Sequence, residues 1–236
     1  MYYGRPSFGM IPPAVKNILL GSLAVFLFQS LLAPNLNEML LPFVPDAYED
    51  FIRNGVLNSF DLVFGMVPAL VIGKFYIWQF VTYIFLHGNF GHIFFNMFAL
   101  WMFGSELERT WGTREFTRYF LLTGTLAGVS IFIWNFGSYS PTIGASGAVF
   151  GILVAYALFF PDNEIYLYFL FPIKAKYFVL IYGLIELMML PNQDGISHIG
   201  HLGGMVAGFF YLRHRYRHWG IGRNLFRNPF KKKGPF

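Results

Sequence analysis

The stretch 140-SPTIGASGAVFGILVAYALFF-160 opens on serine, proline and glycine and then runs apolar to its end without one charged residue. A run of this kind is either a buried core segment or a bilayer span, and its surroundings decide between them. No Asp, Glu, Lys or Arg occurs in 119–161, and 18–45 is almost as free of them. Of the 236 residues only 12% are charged, whereas 56% are hydrophobic and 21% aromatic. Soluble domains carry roughly a quarter charged residues, so this chain has too few to cover a water-exposed surface of its size. The sequence predicts an all-α polytopic membrane protein.

Apolar segments place six helices at 18–33, 89–106, 116–135, 146–160, 176–190 and 197–213. The first is read as a span and not as a cleaved signal, because Pro34 and Asn35 follow it without a small-residue cleavage pattern. The fourth reaches only about 22 Å at 1.5 Å per residue, so its first residues would lie below the membrane surface yet within reach of water. Residues 1–17 are then a cytoplasmic N-terminal segment, 18–213 the six-span domain and 214–236 a basic cytoplasmic tail. Cysteine is absent, which excludes disulfide, thiolate and cysteine-metal chemistry.

Basic residues set the orientation. Placing both termini in the cytoplasm puts 15 of the 17 Lys and Arg inside, with Arg53 and Lys74 outside, as the positive-inside tendency favours. The basic tail is accounted for by lipid headgroups and needs no nucleic acid. Segment 34–88, with 62-LVFGMVPALVIG-73 and 75-FYIWQFVTYIF-85, is too broken for a seventh span and reads as a partly membrane-immersed outer loop.

With this orientation Ser146, His201, His92 and Asn96 all begin even-numbered spans at the outer face. Each taken alone fits interhelical hydrogen bonding. Their context favours more. Gly147, Gly151 and Ala155 recur every four residues, and so do Gly200, Gly204 and Gly208, giving two helices smooth sides for close approach. Packing those sides would bring Ser146 Oγ to a ring nitrogen of His201, the geometry of a nucleophile and its general base. The Ser146 backbone N–H, at a helix start, is a candidate oxyanion donor. His92 and Asn96, an i,i+4 pair, could add side-chain donors, or could serve only to fix helix packing.

No carboxylate has a spacing that fixes it against His201. Glu186 could snorkel or gate water, Asp194 lies in the fifth loop, and a Ser-His dyad is expected in preference to a triad. Zinc is not expected either. His87 with His92 and His198 with His201 are ligand-like pairs, but the HExxH arrangement is absent and no glutamate stands in the right relation to either pair. No cofactor is called for.

In this order, 92-HIFFN-96, 106-ELERTWG-112, 144-GASG-147 and 201-HLGGMVAG-208 closely resemble the motifs of the rhomboid intramembrane serine proteases, over about residues 70 to 212. The resemblance implies a six-transmembrane-helix bundle with Ser146 as nucleophile, His201 as base, and His92 and Asn96 assisting the oxyanion hole. Gly144 resembles the glycine that leaves space at that hole, and Glu108 the motif acid that serves structurally. His87 resembles a histidine of the outer loop without a chemical role.

The family also implies transmembrane protein substrates that enter laterally near span five and the fifth loop, and a multi-pass location, here a bacterial cytoplasmic membrane with the site facing outward. Where the family has Trp-Arg, this chain has Trp78-Gln79, which removes a cation that could anchor the loop. Phe150 stands where some relatives place a hydroxylated aromatic, and can pack against the histidine ring but cannot bond to it. The competing class is a noncatalytic rhomboid-like binder or chaperone of membrane proteins; inactive relatives commonly lose the serine or the histidine, and both are present here. Oligomeric state is not legible.

Overall fold

A computed structural model describes residues 10–55, 57–167, 171–192 and 194–216. Helices stand at all six expected places: α1 (Pro13–Leu31), α2, α3 (Thr113–Trp134), α4 (Ser146–Phe159), α5 (Ala175–Met189) and α6 (His198–Arg215). Helix α2 runs over Phe90–Ala99, passes through a π-helical turn at Leu100–Gly104 and continues over Ser105–Trp111. Two of them, α1 and α3, are by length and composition long and apolar enough to cross a membrane. The basic tail beyond 216 and the first nine residues fall outside the described residues.

Helix α4 is the centre of the bundle, with ten of its fourteen residues buried and α3, α5, α6 and the π turn of α2 packed around it. A helix apolar on every side needs an apolar environment on every side. The outer helices supply it and then present apolar side chains of their own. Leu20, Leu23, Leu27 and Leu31 of α1 are exposed, as are Leu180, Leu184, Leu187 and Met188 of α5. Surface of this kind is stable against lipid and costly against water.

Helix α1 begins at Pro13, five residues earlier than the sequence suggested. Proline is tolerated at the first helical position because its missing N–H has no intrahelical partner there. The free N–H groups of Ala14 and Val15 donate to the two carboxylate oxygens of Glu108, each at 2.8 Å. Thr113 Oγ1 donates to the same carboxylate at 2.7 Å. Glu108 thus caps α1 from another helix, which no local pattern encodes. Trp111, three residues on, packs edge-to-face on Phe159 at the end of α4. Phe159 lies about 20 Å from Ser146 at 1.5 Å per residue, so Glu108, one turn before Trp111, is structural and belongs to the opposite end of α4 from Ser146.

The fold is not purely helical. Glu164–Leu167 and Phe171–Lys174 form an antiparallel pair, β1 and β2, with Ile165 opposite Ile173. The alternation of Ile165, Leu167, Phe171 and Ile173 suits a strand pair, but it is too short to stand out beside long apolar helices.

The segment between α1 and α2, the expected outer loop, is built of short α and 3-10 helices around its own core, including Tyr48, Leu62, Val67 and Tyr76. Gln79 is fully buried there. Its Oε1 accepts from the Val67 N–H at 2.9 Å, its Nε2 donates to the Leu62 carbonyl at 2.8 Å, and Trp78 Nε1 donates to the Val63 carbonyl at 2.8 Å. The neutral amide of Gln79 thus organises the loop internally. Met66 and Thr142 exchange both backbone hydrogen bonds at 2.9 Å, and Gly144 N–H donates to the Tyr83 carbonyl at 2.9 Å. These bonds tie the outer segment to the chain entering α4, and so fix the approach to Ser146.

Candidate active site

The small-residue sides of α4 and α6 meet. A methyl on Gly204 would overlap the Gly147 carbonyl, and one on Gly208 would lie 3.3 Å from the Gly151 Cα while overlapping the Tyr119 hydroxyl. Gly151 itself faces Thr123 of α3, and a methyl on Gly147 would lie 2.5 Å from Ala127 Cβ. Helices α3 and α6 thus converge on α4 with no room for side chains at these points. Gly200 instead turns toward Ile131 of α3.

Close approach brings Ser146 Oγ to 2.8 Å from His201 Nε2. Ser146 is the first residue of α4 and half-buried, whereas His201 is 7% exposed. Phe150, one turn beyond the serine, stacks on the imidazole at 4.2 Å between ring centroids and 12° between planes. The ring is therefore held from its face as well as its edge. Ala145, the residue before the helix, offers no side-chain cap, so the first N–H groups of α4, that of Ser146 among them, retain the positive end of the helix dipole.

Gly144 adopts φ +128°, and a methyl there would stand 2.6 Å from His92 Nε2 and 3.8 Å from Ser146 Oγ. Both the backbone angle and the space demand glycine. His92 is oriented by the Gly88 N–H, which points at Nδ1 from 3.4 Å, and by the cap of its helix, where its own N–H donates to Asn89 Oδ1 at 2.8 Å. With Nδ1 as acceptor, Nε2 carries the ring proton and faces the Gly144 side. Asn96 is buried, and its Nδ2 donates to the His92 carbonyl at 2.9 Å. The pair is thus unequal: His92 faces the serine's neighbourhood, whereas Asn96 spends one donor on its own helix.

His87 lies beside this pair, edge-to-face with His92 at 5.1 Å. Burial, with the neighbouring His92 ring, pushes its imidazole down to about 4, so it is neutral at physiological pH. Its backbone N–H donates to Gln29 Oε1, whose amide in turn donates to Asp61 Oδ1 at 2.7 Å. The end of α1 thereby fixes both the outer segment and the histidine loop.

The expectation that no carboxylate approaches His201 is overturned. Glu186 does not snorkel: it is 7% exposed, and its Oε2 lies 2.9 Å from His201 Nδ1. The distance is short, but the ring N–H is not aligned on the oxygen well enough to form a hydrogen bond. The same oxygen is hydrogen-bonded to His198 Nδ1 at 2.7 Å, and His198 Nε2 meets Asp194 Oδ2 at 3.2 Å. The Ile196 N–H, more than any other group, holds the exposed Asp194 carboxyl below its usual range. A glutamate therefore does stand with the His198 and His201 pair, with donor atoms within 4.8 Å of one another. The oxygen is hydrogen-bonded to His198 Nδ1 and lies 2.9 Å from His201 Nδ1 as well. Sequence reading missed this because residues 186 and 201 lie on different helices, and the only signal available was an acid in an apolar run.

The protein-family model of the Rhomboid domain matches residues 74–217, more than half of the chain. Rhomboid protease GluP of Bacillus subtilis is 34% identical over 160 residues, covering 67% of this chain and 30% of that protein. Rhomboid-like protein 15 of Arabidopsis thaliana is 30% identical over 170 residues, 66% of this chain and 41% of that one. Rhomboid-like protease 1 of Toxoplasma gondii is 31% identical over 158 residues, 62% of this chain and 50% of that one. The chain thus spans half or less of the length of these relatives, and they come from bacterial, plant and protozoan sources. By the family match and the order of its motifs, this chain belongs to the membrane-embedded rhomboid family.

Proposed function

We propose that the chain is an intramembrane serine endopeptidase that cuts peptide bonds in or near the transmembrane segments of other membrane proteins. The observation that carries the reading is the 2.8 Å contact between Ser146 Oγ and His201 Nε2, within the range of a nucleophile and its general base. Serine is a poor nucleophile at its normal pKa, so Nε2 takes the hydroxyl proton as Oγ bonds to the carbonyl carbon. The negative charge arriving on the carbonyl oxygen meets the N–H end of α4 and His92 Nε2–H. The proton then passes to the leaving amine nitrogen, and water repeats the sequence on the acyl-enzyme.

Six spans with both termini cytoplasmic and the site near the outer face complete the reading, supported by helices at all six expected places and by the placement of 15 of 17 basic residues. In this arrangement the short α4 puts Ser146 below the surface, where water can enter from one side. Cleavage of a reconstituted single-span substrate by wild type and S146A is the test: wild-type turnover with none in S146A is expected. No turnover by wild type on any substrate cut by relatives would favour a noncatalytic binder. Single cysteines at Tyr139 and Leu225 should label from opposite sides of sealed vesicles, and same-side labelling would reject the orientation.

A further inference from the structure

We infer that Glu186 is the positioning residue of the His201 base, so that the working unit is Ser146, His201 and Glu186 and not a pair; this rests on the protease reading above. The two nitrogens of one ring face the two other members. Nε2 lies 2.8 Å from Ser146 Oγ, and Nδ1 lies 2.9 Å from Glu186 Oε2. A carboxylate buried at 7% exposure in an otherwise apolar helix is costly unless partnered. Its partners here are the base itself and His198, which donates or shares its proton with the same oxygen at 2.7 Å and so holds it from the side of α6.

The carboxylate selects the tautomer. With Nδ1–H facing Glu186, the Nε2 lone pair faces the serine hydroxyl, as removal of its proton requires. When Oγ attacks, its proton moves to Nε2, the carbonyl π pair moves to oxygen, and the ring becomes an imidazolium. Nδ1–H stays on the ring, its positive charge faces the carboxylate, and Glu186 is not protonated. The misaligned Nδ1–H in the resting arrangement fits this order, since such bonds are often loose before substrate binds and tighten as charge develops. Other groups act on the ring too: Phe150 and Ser146 from α4, His92 from α2, and His198 with Asp194 through the carboxylate.

The experiment compares wild type, S146A, E186Q and E186D in proteoliposomes, with kcat and KM of the folded fraction as readouts. E186Q preserves the shape and removes the charge. It should lower kcat by about 10 to 1,000-fold, less than full loss of the histidine–carboxylate arrangement in soluble triads, with a smaller change in KM. E186D should recover part of the rate.

A merely structural role would lower the yield and thermal midpoint but leave kcat of the folded fraction unchanged, and that result overturns the inference. Should E186Q not fold, the labelling rate of folded E186D by a serine-directed fluorophosphonate decides: slower than wild type supports the inference, and equal overturns it. Turnover of wild type lost to a chelator and restored by zinc also overturns it, the carboxylate then being a metal ligand. Residual turnover in S146A would sink the protease reading itself, whereas an inactive S146A beside an unchanged E186Q would sink only the role of Glu186.

Discussion

Gly204 of α6 lies directly against the Gly147 carbonyl of α4, so close that a methyl on Gly204 would occupy the place of that backbone oxygen. One turn earlier on α6 is His201, and one residue earlier on α4 is Ser146. The backbone contact therefore sets the separation of Ser146 and His201. Because backbone cannot rotate out of the way, G204A must push the helices apart. Overpacking typically costs about 1–3 kcal/mol, and a backbone clash belongs at or above the upper end. We expect a lower thermal midpoint in detergent, and phosphonate labelling of Ser146 depressed even in the folded fraction. Full labelling at the wild-type rate would separate this contact from the chemistry.

The inequality of His92 and Asn96 gives a graded prediction. H92A should lower kcat by about one to two decades, as loss of an oxyanion donor does. N96A should cost less, since one Asn96 donor is already committed to the His92 carbonyl. G144A should resemble H92A, because the added methyl meets His92 Nε2 and glycine alone suits φ +128°. Steady-state kinetics on folded variants ranks the three, and equal turnover by H92A and wild type would confine His92 to packing.

Glu108 should matter for stability and not for chemistry. E108A removes the acceptor of the Ala14 and Val15 N–H groups and of Thr113 Oγ1. Hydrogen bonds to charged groups contribute about 1.5–3 kcal/mol each, so a loss of about 2 kcal/mol or more is expected in unfolding experiments. Ser146 in the folded fraction should still label at the wild-type rate. Slowed labelling there would mean that the far end of the bundle communicates with the serine.

Asp61 offers a pH test. Burial pushes its carboxyl up to about 6, against the opposing pull of the Gln29 hydrogen bond. A carboxyl whose folded pKa exceeds its unfolded value of about 3.9 binds its proton more tightly when folded. Its contribution is therefore most favourable below about pH 4, declines as pH rises toward 6 and is constant above that. D61N, which keeps an acceptor for Gln29, should flatten the decline and raise the unfolding free energy at pH 7–8 by roughly 3 kcal/mol at most. Parallel pH profiles for wild type and D61N would show that Asp61 remains charged throughout.

Composition and charge placement were enough to read a membrane-embedded helical chain, because a bilayer tolerates only backbone that satisfies its own hydrogen bonds. The four-residue spacing of Gly147 with Gly151, and of Gly204 with Gly208, predicted which helix sides would meet, and with them the approach of Ser146 to His201. Those are properties of single helices, where sequence spacing converts directly into angle. What lay beyond the sequence joins different helices: Glu108 capping α1, Gln79 bracing the outer segment, and Glu186 turning inward to His201. The distance from 186 to 201 along the chain says nothing about the distance in space, since the loop between them reverses direction. Only the packing of α5 against α6 placed a buried carboxylate behind the imidazole, and only tertiary structure could decide it, because an isolated acid in an apolar helix is equally consistent with reaching out to water and with folding in to a partner.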